Sequence, residues 1–280
     1  MSDTARVTPK ARVRPFLKWA GGKGRLLAQF EPLLPDKIED YHEPFLGSGA
    51  VFFHLRERIS GRAYLSDRIE DLVSTFGTVR DNVEGLIRHL GRHVYESEHY
   101  YRVRAQNPAR LSPASLAARF IYLNRTGFNG LYRVNKSGRF NVPFGRYTNP
   151  TICNAPGLRA ASAALAGADL ARRGFAELPD WVEPGDFVYL DPPYQPLSKT
   201  ASFTAYTAGG FGENEQRHLA EICRGLDKLG ARFMLSNSDT PLIREIYKGF
   251  DIQKVLAARA INATASKRGK VSEVVVRNYT

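Results

Sequence analysis

Cysteine is nearly missing from this sequence: Cys153 and Cys223 are the only two in 280 residues. Two isolated thiols suggest neither a disulfide framework nor a zinc cluster, and they suit a reducing cytosol. They also count against a zinc nucleobase deaminase, which needs a Cys/His metal site. Long apolar runs are missing too, so no segment reads as a membrane span. The opening stretch MSDTARVTPKARVRP is polar and basic, without the apolar centre of a secretory signal. A cytoplasmic protein is the expectation. Acidic residues are the minority charge, 28 against 40 Lys and Arg, which leaves a net charge of +12 and a pI near 9.8. That imbalance favours a polyanionic partner, nucleic acid ahead of an anionic membrane surface. Internal repeats and low-complexity linkers are absent as well. What is present is an ordinary 43% of hydrophobic residues, enough to bury a core.

The pattern predicts an α/β fold. Residues 1–15 read as a loose basic arm, and a helix is expected over 25–34. A short strand ends near Glu43 or Pro44, although IEDYHE is polar for a buried strand. GSGAVFFHLRER is a glycine turn entering a helix, AYLSD (63–67) a strand, and DLVSTFGTVRDNVEGLIRHL helical. The middle, 75–165, is helical with scattered Arg, Tyr and His, and it ends in a loop at 124–147 rich in Asn, Gly, Arg and aromatics. DFVYLD, ARFMLSN, FDIQKVLAA and EVVVRNY then read as strands, with a helix at NEQRHLAEICRGLDKLG. Strand–helix alternation on both sides of a helical middle implies a sheet covered by helices, interrupted by an insertion. The expected division is 1–74 and 166–280 for the α/β domain and 75–165 for the insert.

FLGSG (45–49) lies between a strand and a helix, where Gly47 and Gly49 would let a ligand approach the backbone at a helix N-terminus. Asp67 ends the next strand about 20 residues on, where an acid can bind ribose hydroxyls. A dinucleotide fingerprint wants a third glycine where Phe52 stands. A phosphate-binding loop wants Ser or Thr after Gly22-Lys23, where Gly24 stands, and an earlier glycine where Leu17 stands. An adenosine compound without phosphates fits better, and S-adenosylmethionine is the candidate. Its ribose suits Asp67 and its carboxylate suits a lysine such as Lys23. Trp19 beside it reads equally as a buried core indole.

VYLDPPY (188–194) is an apolar run that ends in an acid, two prolines and a tyrosine. Proline cannot continue a ladder, so the chain leaves a strand here stiffened. Asp191 and Asp67 both end strands, and ligands of open α/β sheets sit outside those ends. Asp191 also reads as a plain turn acid. The pattern suits chemistry on an exocyclic base amine, whose lone pair is delocalised into the ring. A carboxylate (Asp191) and a carbonyl (Pro192) would hold both amine hydrogens and turn the lone pair outward, while Tyr194 stacks on the base. Such a base must leave the duplex first.

Taken in order, PFLKWAGGK, EPFLGSG, LSD and DPPY resemble the Dam-type, class α DNA adenine-N6 methyltransferases, and NRTGFNGLYRVNKSGRFNVPFGRY and FTAY (203–206) extend the likeness over roughly 15–279. The resemblance implies a Rossmann-like methyltransferase fold on a mixed seven-stranded sheet, with an inserted helical target-recognition domain. It implies S-adenosylmethionine as donor and most often GATC in double-stranded DNA as target. It gives cofactor roles to Trp19, Lys23, Phe45, Gly47, Gly49, Asp67 and Asp191, and it sets Phe175 beside the cofactor adenine, after Gly174 where relatives often carry an acid. Catalysis falls to Asp191, Pro192 and Tyr194, with no metal. In the loop, Arg133 suits a guanine edge, Asn129 another base, and Leu131 a thymine methyl. Phe128, where relatives typically have Tyr, would fill the gap left by the flipped adenine. Pro143, Arg146 and Tyr147 complete the DNA-binding set, and Tyr147 reads equally as a core aromatic. Arg139 replaces an acid of some relatives. Lys136, Arg146, Lys199, Lys267, Arg268 and Lys270 are candidate phosphate neutralisers, though each singly reads as a solvated charge.

Other classes fit less well. A cytosine-C5 enzyme needs a Pro-Cys nucleophile, and neither cysteine has that setting. An N4-cytosine enzyme usually has Ser at the position of Asp191. Adenine methylation at another target sequence, within a restriction-modification system, stays open. So does a non-catalytic DNA-binding protein on a degenerate fold, against which Asp67, Asp191 and Tyr194 all argue. A monomer without an obligatory protein partner is expected.

Overall fold

Three β-branched or aromatic residues and a leucine in FVYL form a strand whose alternate side chains point to opposite faces. In the computed structural model, which describes residues 13–196, 211–258 and 270–280, that strand (Phe187–Leu190) lies in a seven-stranded sheet. Numbered along the chain, the strands are β1 (Tyr41–Glu43), β2 (Ala63–Asp67), β3 (Asp169–Arg172), β4 (Phe187–Leu190), β5 (Arg232–Ser238), β6 (Asp251–Ala258) and β7 (Lys270–Arg277). Their order across the sheet is β3-β2-β1-β4-β5-β7-β6. All neighbours are parallel except β7, which runs antiparallel to β5 and β6. This is the mixed seven-stranded, Rossmann-like arrangement expected. The order reverses between β1 and β4, and that switch point opens a crevice at the carboxyl ends of both strands.

The alternation builds two cores. Phe187 and Tyr189 of β4, Met234 of β5 and Val275 of β7 join one apolar cluster. Val188, Leu190, Phe233, Leu235, Val274 and Val276 join the other. The helices are α1 (Leu27–Phe30), α2 (Ala50–Leu55), α3 (Glu70–Asp81), α4 (Val83–Leu90), α5 (Ser97–Ala105), α6 (Pro113–Thr126), α7 (Ala155–Leu165), α8 (Glu213–Leu229) and α9 (Pro241–Ile246). Cys223 of α8 is a buried apolar contact in the second core, and both cysteines are free thiols. Among the described residues no helix is long and apolar enough to cross a membrane.

Several expected elements differ in detail. The helix expected over 25–34 is a 3-10 turn (Lys23–Arg25), the single turn of α1, and a second 3-10 turn (Glu31–Leu33). Pro32 has no amide hydrogen to extend α1. The helical run 71–90 breaks at Asn82, whose side chain leaves the helical pattern to accept from the Gly85 amide and start α4. The 74/75 boundary expected for the insert falls inside α3, which runs across it unbroken and packs on β2 and β3 as well as α6 and α7. The edge strand β3 carries no apolar alternation and is only half-buried, so nothing in ADLARR marked it. The polar strand β1 is fully buried, and its polar side chains find partners except at His42 Nδ1, which has none among the described residues. His42 Nε2 pairs with Asp186 Oδ2 at 2.7 Å. Glu43 Oε2 accepts from the Tyr41 hydroxyl at 2.8 Å and the Phe52 amide at 3.1 Å.

Candidate active site

The crevice is walled on the β1 side by the turn Phe45–Gly49. Gly47 has φ +49° and Gly49, at the N-cap of α2, has φ +66°. Left-handed backbone of this kind is the ground for glycine in both places. A β-carbon on Gly47 would lie 2.9 Å from Trp19 Cδ1 and 3.0 Å from its Nε1, so the indole packs on the bare turn. The Gly47 amide donates to Asp67 Oδ2 at 3.1 Å, and the Ile69 amide donates to Asp67 Oδ1 at 3.0 Å. Each carboxylate oxygen therefore has one backbone donor and keeps a lone pair. Burial raises the Asp67 pKa above the usual carboxylate value, and its backbone amide donors oppose that rise. Phe45 stacks on Phe175 with centroids 5.7 Å apart and planes 23° apart. Phe211 packs edge-on to Phe45 at 5.9 Å and lies 5.4 Å from Phe175. Asp67, the bare glycine turn and this aromatic cluster fit an adenosine-type ligand: acceptors for hydroxyls, apolar faces for a purine.

The β4 side carries the DPPY segment. Asp191 leaves the end of β4, and its Oδ1 accepts from Lys23 Nζ at 2.6 Å and Ser236 Oγ at 2.9 Å. Oδ2 has no partner among the described residues. Lys23 is buried and also donates to the Gly21 carbonyl at 2.7 Å. Its ammonium lies 4.7 Å from the centroid of the Tyr194 ring. The lysine expected to meet a cofactor carboxylate is thus directed at Asp191 and Tyr194. Nothing among the described residues donates to the Pro192 carbonyl, whereas that of Pro193 accepts from Gln216 Nε2 at 2.9 Å. The Gln195 amide donates to Asn237 Oδ1 at 3.1 Å, and Ser238 Oγ donates to the Gln195 carbonyl at 2.6 Å. Ser236, Asn237 and Ser238 at the end of β5, with Gln216 of α8, hold the segment after β4. Sequence reasoning missed all four. The polar end SNS of an otherwise apolar strand was the available signal. Below the crevice, burial pushes the Glu43 carboxyl up to about 8.

The loop 124–147 is stitched to itself and to the KWAGGK segment. Asn124 Oδ1 accepts from the Lys18 amide at 2.8 Å, and its Nδ2 donates to the Lys18 carbonyl at 2.6 Å. Trp19 stacks on Tyr132, 6.1 Å apart. The Phe128 amide donates to the Pro143 carbonyl at 2.9 Å, and Val134 pairs with Phe140 across a small hairpin. Phe128 is 48% exposed on the turn, followed by Asn129 at φ +55°. Leu131 is half-buried, while Arg133, Pro143, Arg146, Lys136 and Arg139 are exposed. Arg133 is not wholly free: its Nε donates to Asn141 Oδ1 at 2.7 Å and its Nη2 to the Asn141 carbonyl at 3.2 Å, while Nη1 has no partner among the described residues. Tyr147 is packed inward, with its hydroxyl on the Gly127 carbonyl at 2.8 Å and Lys18 Nζ 3.6 Å from its ring centroid. Lys199, Lys267, Arg268 and the stretch 203–206 lie outside the described residues, as does the side chain of Lys270.

The family model of D12 class N6 adenine-specific DNA methyltransferases matches residues 19–261. Over 278 residues the chain is 40% identical to the type II methyltransferase M1.LlaDCHI of Lactococcus lactis subsp. cremoris, across 96% of this chain and 97% of that protein. It is 42% identical over 287 residues to the type II methyltransferase M.MjaIII of Methanocaldococcus jannaschii, covering 95% and 99%. Identity to the DNA adenine methylase of Escherichia coli K12 is 38% over 267 residues, 94% of each chain.

Proposed function

This chain belongs to the D12 class of N6 adenine-specific DNA methyltransferases, and on that premise we propose that it methylates the N6 amine of an adenine flipped out of duplex DNA at GATC, with S-adenosylmethionine as donor. The observation that carries the reading is Asp191 at the switch point: one carboxylate oxygen is tied to Lys23 and Ser236, and the other has no partner among the described residues.

Asp67 would take the ribose hydroxyls of the donor, and Phe45 with Phe175 would flank its adenine. Trp19 braces the Gly47 turn that carries this pocket. The bound donor supplies an electrophilic methyl group on sulfur. Asp191 Oδ2 and the Pro192 carbonyl would accept the two amine hydrogens and free the nitrogen lone pair for attack in line with that methyl. The nitrogen gains the methyl and loses one proton, for which Asp191 is the adjacent acceptor. The ring of Tyr194 would stack on the extruded base and offset part of the few kcal/mol that flipping costs. Positioning supplies much of the rate, since the donor is already reactive.

The loop 124–147 would carry target recognition. Arg133 reads a guanine edge, with Asn129 and Leu131 beside it, and Phe128 enters the gap in the duplex. Arg146, Lys136 and Arg139 neutralise phosphates around them. Tyr147 serves from beneath, as the ring under Lys18. Expression in a host that lacks adenine methylation, followed by digestion with nucleases sensitive to GATC methylation, tests the target. Unchanged digestion by all of them removes GATC, while methyladenine mapped to another sequence keeps the reaction. Asp191→Ala is expected to abolish transfer and keep DNA binding, and appreciable turnover would remove Asp191 from its role.

A further inference from the structure

The rule that places a site outside the carboxyl ends of parallel strands misses one contributor. Strand β7 runs antiparallel, so its beginning, not its end, lies beside the crevice. Glu273 sits there, paired in register with Ser238 at the last residue of β5. Its Oε2 accepts from the Tyr194 hydroxyl at 2.8 Å. Tyr194 is thus held at its edge by a carboxylate and lies under the Lys23 ammonium on one face, 4.7 Å from the ring centroid. The backbone around it is fixed separately, through Pro193 by Gln216 and through Gln195 by Asn237 and Ser238. Backbone anchors do not set the side-chain torsions of a tyrosine, whereas a bond to its hydroxyl fixes the swing of the ring about Cα–Cβ and, because a phenolic O–H prefers the plane of its ring, favours one tilt of that plane. A stacking partner has to present a defined plane, because a ring free to swing loses the face-to-face contact.

We propose that Glu273 is a positioning residue for methyl transfer: through the Tyr194 hydroxyl it holds in place the ring on which the target base stacks. The inference rests on the stacking role given above to Tyr194. The setting suits the bond. Burial raises the Glu273 carboxyl above its usual range, and the Tyr194 hydroxyl and the Lys23 charge draw it back down. Asp191 and Lys23 both lie within reach of the same charge, so Glu273 has a rival role as a mere counter-ion to Lys23. The two roles differ in how the variants combine.

The test is a double-mutant cycle on the full chain with a duplex carrying 2-aminopurine at the target position. Single-turnover transfer on the adenine duplex and the fluorescence of the probe are both read. Glu273→Ala and the isosteric Tyr194→Phe are each expected to slow transfer about tenfold, and the double variant also about tenfold, because both remove one bond. Both should shift the probe signal alike, and Glu273→Gln, which keeps an acceptor oxygen, should recover transfer to within about threefold of the wild type. Binding of S-adenosylhomocysteine should stay within about twofold throughout. Additive losses near a hundredfold would assign the carboxylate to Lys23 and overturn the proposal. A wild-type rate in Glu273→Ala alongside a severe loss in Tyr194→Ala would overturn it while leaving the stacking role intact. A wild-type rate in Tyr194→Ala would remove the stacking role itself, and the proposal with it.

Discussion

Replacing Gly47 by alanine joins backbone strain to a steric clash at the centre of the cofactor side. The residue has φ +49°, where a β-carbon costs about 1–2 kcal/mol. That carbon would also lie 2.9 Å from Trp19 Cδ1, closer than carbon atoms approach, and the neighbour is a rigid indole. Trp19 must therefore swing, at about 0.5–1.5 kcal/mol for an off-rotamer side chain. The summed loss is about 2–3 kcal/mol, or roughly 5–10 °C in the unfolding midpoint for a chain of this size. Movement of Trp19 also disturbs its stack on Tyr132, and movement of the turn disturbs the Gly47 amide on Asp67. Affinity for S-adenosylhomocysteine, measured by calorimetry, should fall together with the urea midpoint at constant slope. Gly77→Ala is the control: it lies inside α3 with open space where the methyl would go, and should stabilise by about 0.5–1 kcal/mol. A Gly47→Ala protein as stable as the wild type, with unchanged ligand affinity, would refute the account of the turn.

Three further outcomes follow from the same geometry. The Glu43 carboxyl, raised by burial to about 8 from 4.5, stays protonated in the folded chain while the unfolded chain ionises, so stability falls as pH rises between those values. The slope is about 1.4 kcal/mol per pH unit for one such group; Glu43→Gln should flatten it between pH 5 and 8 in urea titrations, and an unchanged slope would contradict the burial of a neutral acid (roughly the window set by the two values). Ser236→Ala removes a donor from Asp191 and leaves the buried Tyr189 hydroxyl without its partner at 3.1 Å, so kcat should drop with KM for DNA unchanged and stability should fall by about 1–3 kcal/mol. Arg133→Ala should relax discrimination at one guanine by about 1–3 kcal/mol, whereas an equal loss on every sequence would make it a phosphate contact.

Much of the architecture was legible because the relevant signals are local. The short apolar runs FVYL and VVV, the acids that end AYLSD and DFVYLD, and the glycines of FLGSG each bear on a few adjacent residues. Phe175 was marked by the family resemblance and not by a local signal, and the fold sets it against Phe45. Elements without a local signal were lost. Strand β3 has no alternation, and β1 looked too polar to be buried until His42 met Asp186, 144 residues away. A buried polar group is acceptable only with its partner, and the partner is invisible in one dimension.

The sequence by itself determined the class of fold, the positions of the two strand-end acids, the stiffened DPPY exit and the basic, aromatic loop, since each follows from residue type and short spacing. Only the tertiary structure decided which oxygen of Asp191 is engaged, that Lys23 faces Asp191 and Tyr194, that Tyr147 packs inward under Lys18, and that Glu273 reaches Tyr194 from an antiparallel strand. Those contacts join residues as much as 168 apart, Lys23 to Asp191, or 79 apart, Tyr194 to Glu273. Their geometry depends on how the sheet orders its strands, β4 beside β1 and β7 beside β5, and strand order is a property of packing that no stretch of the chain carries alone.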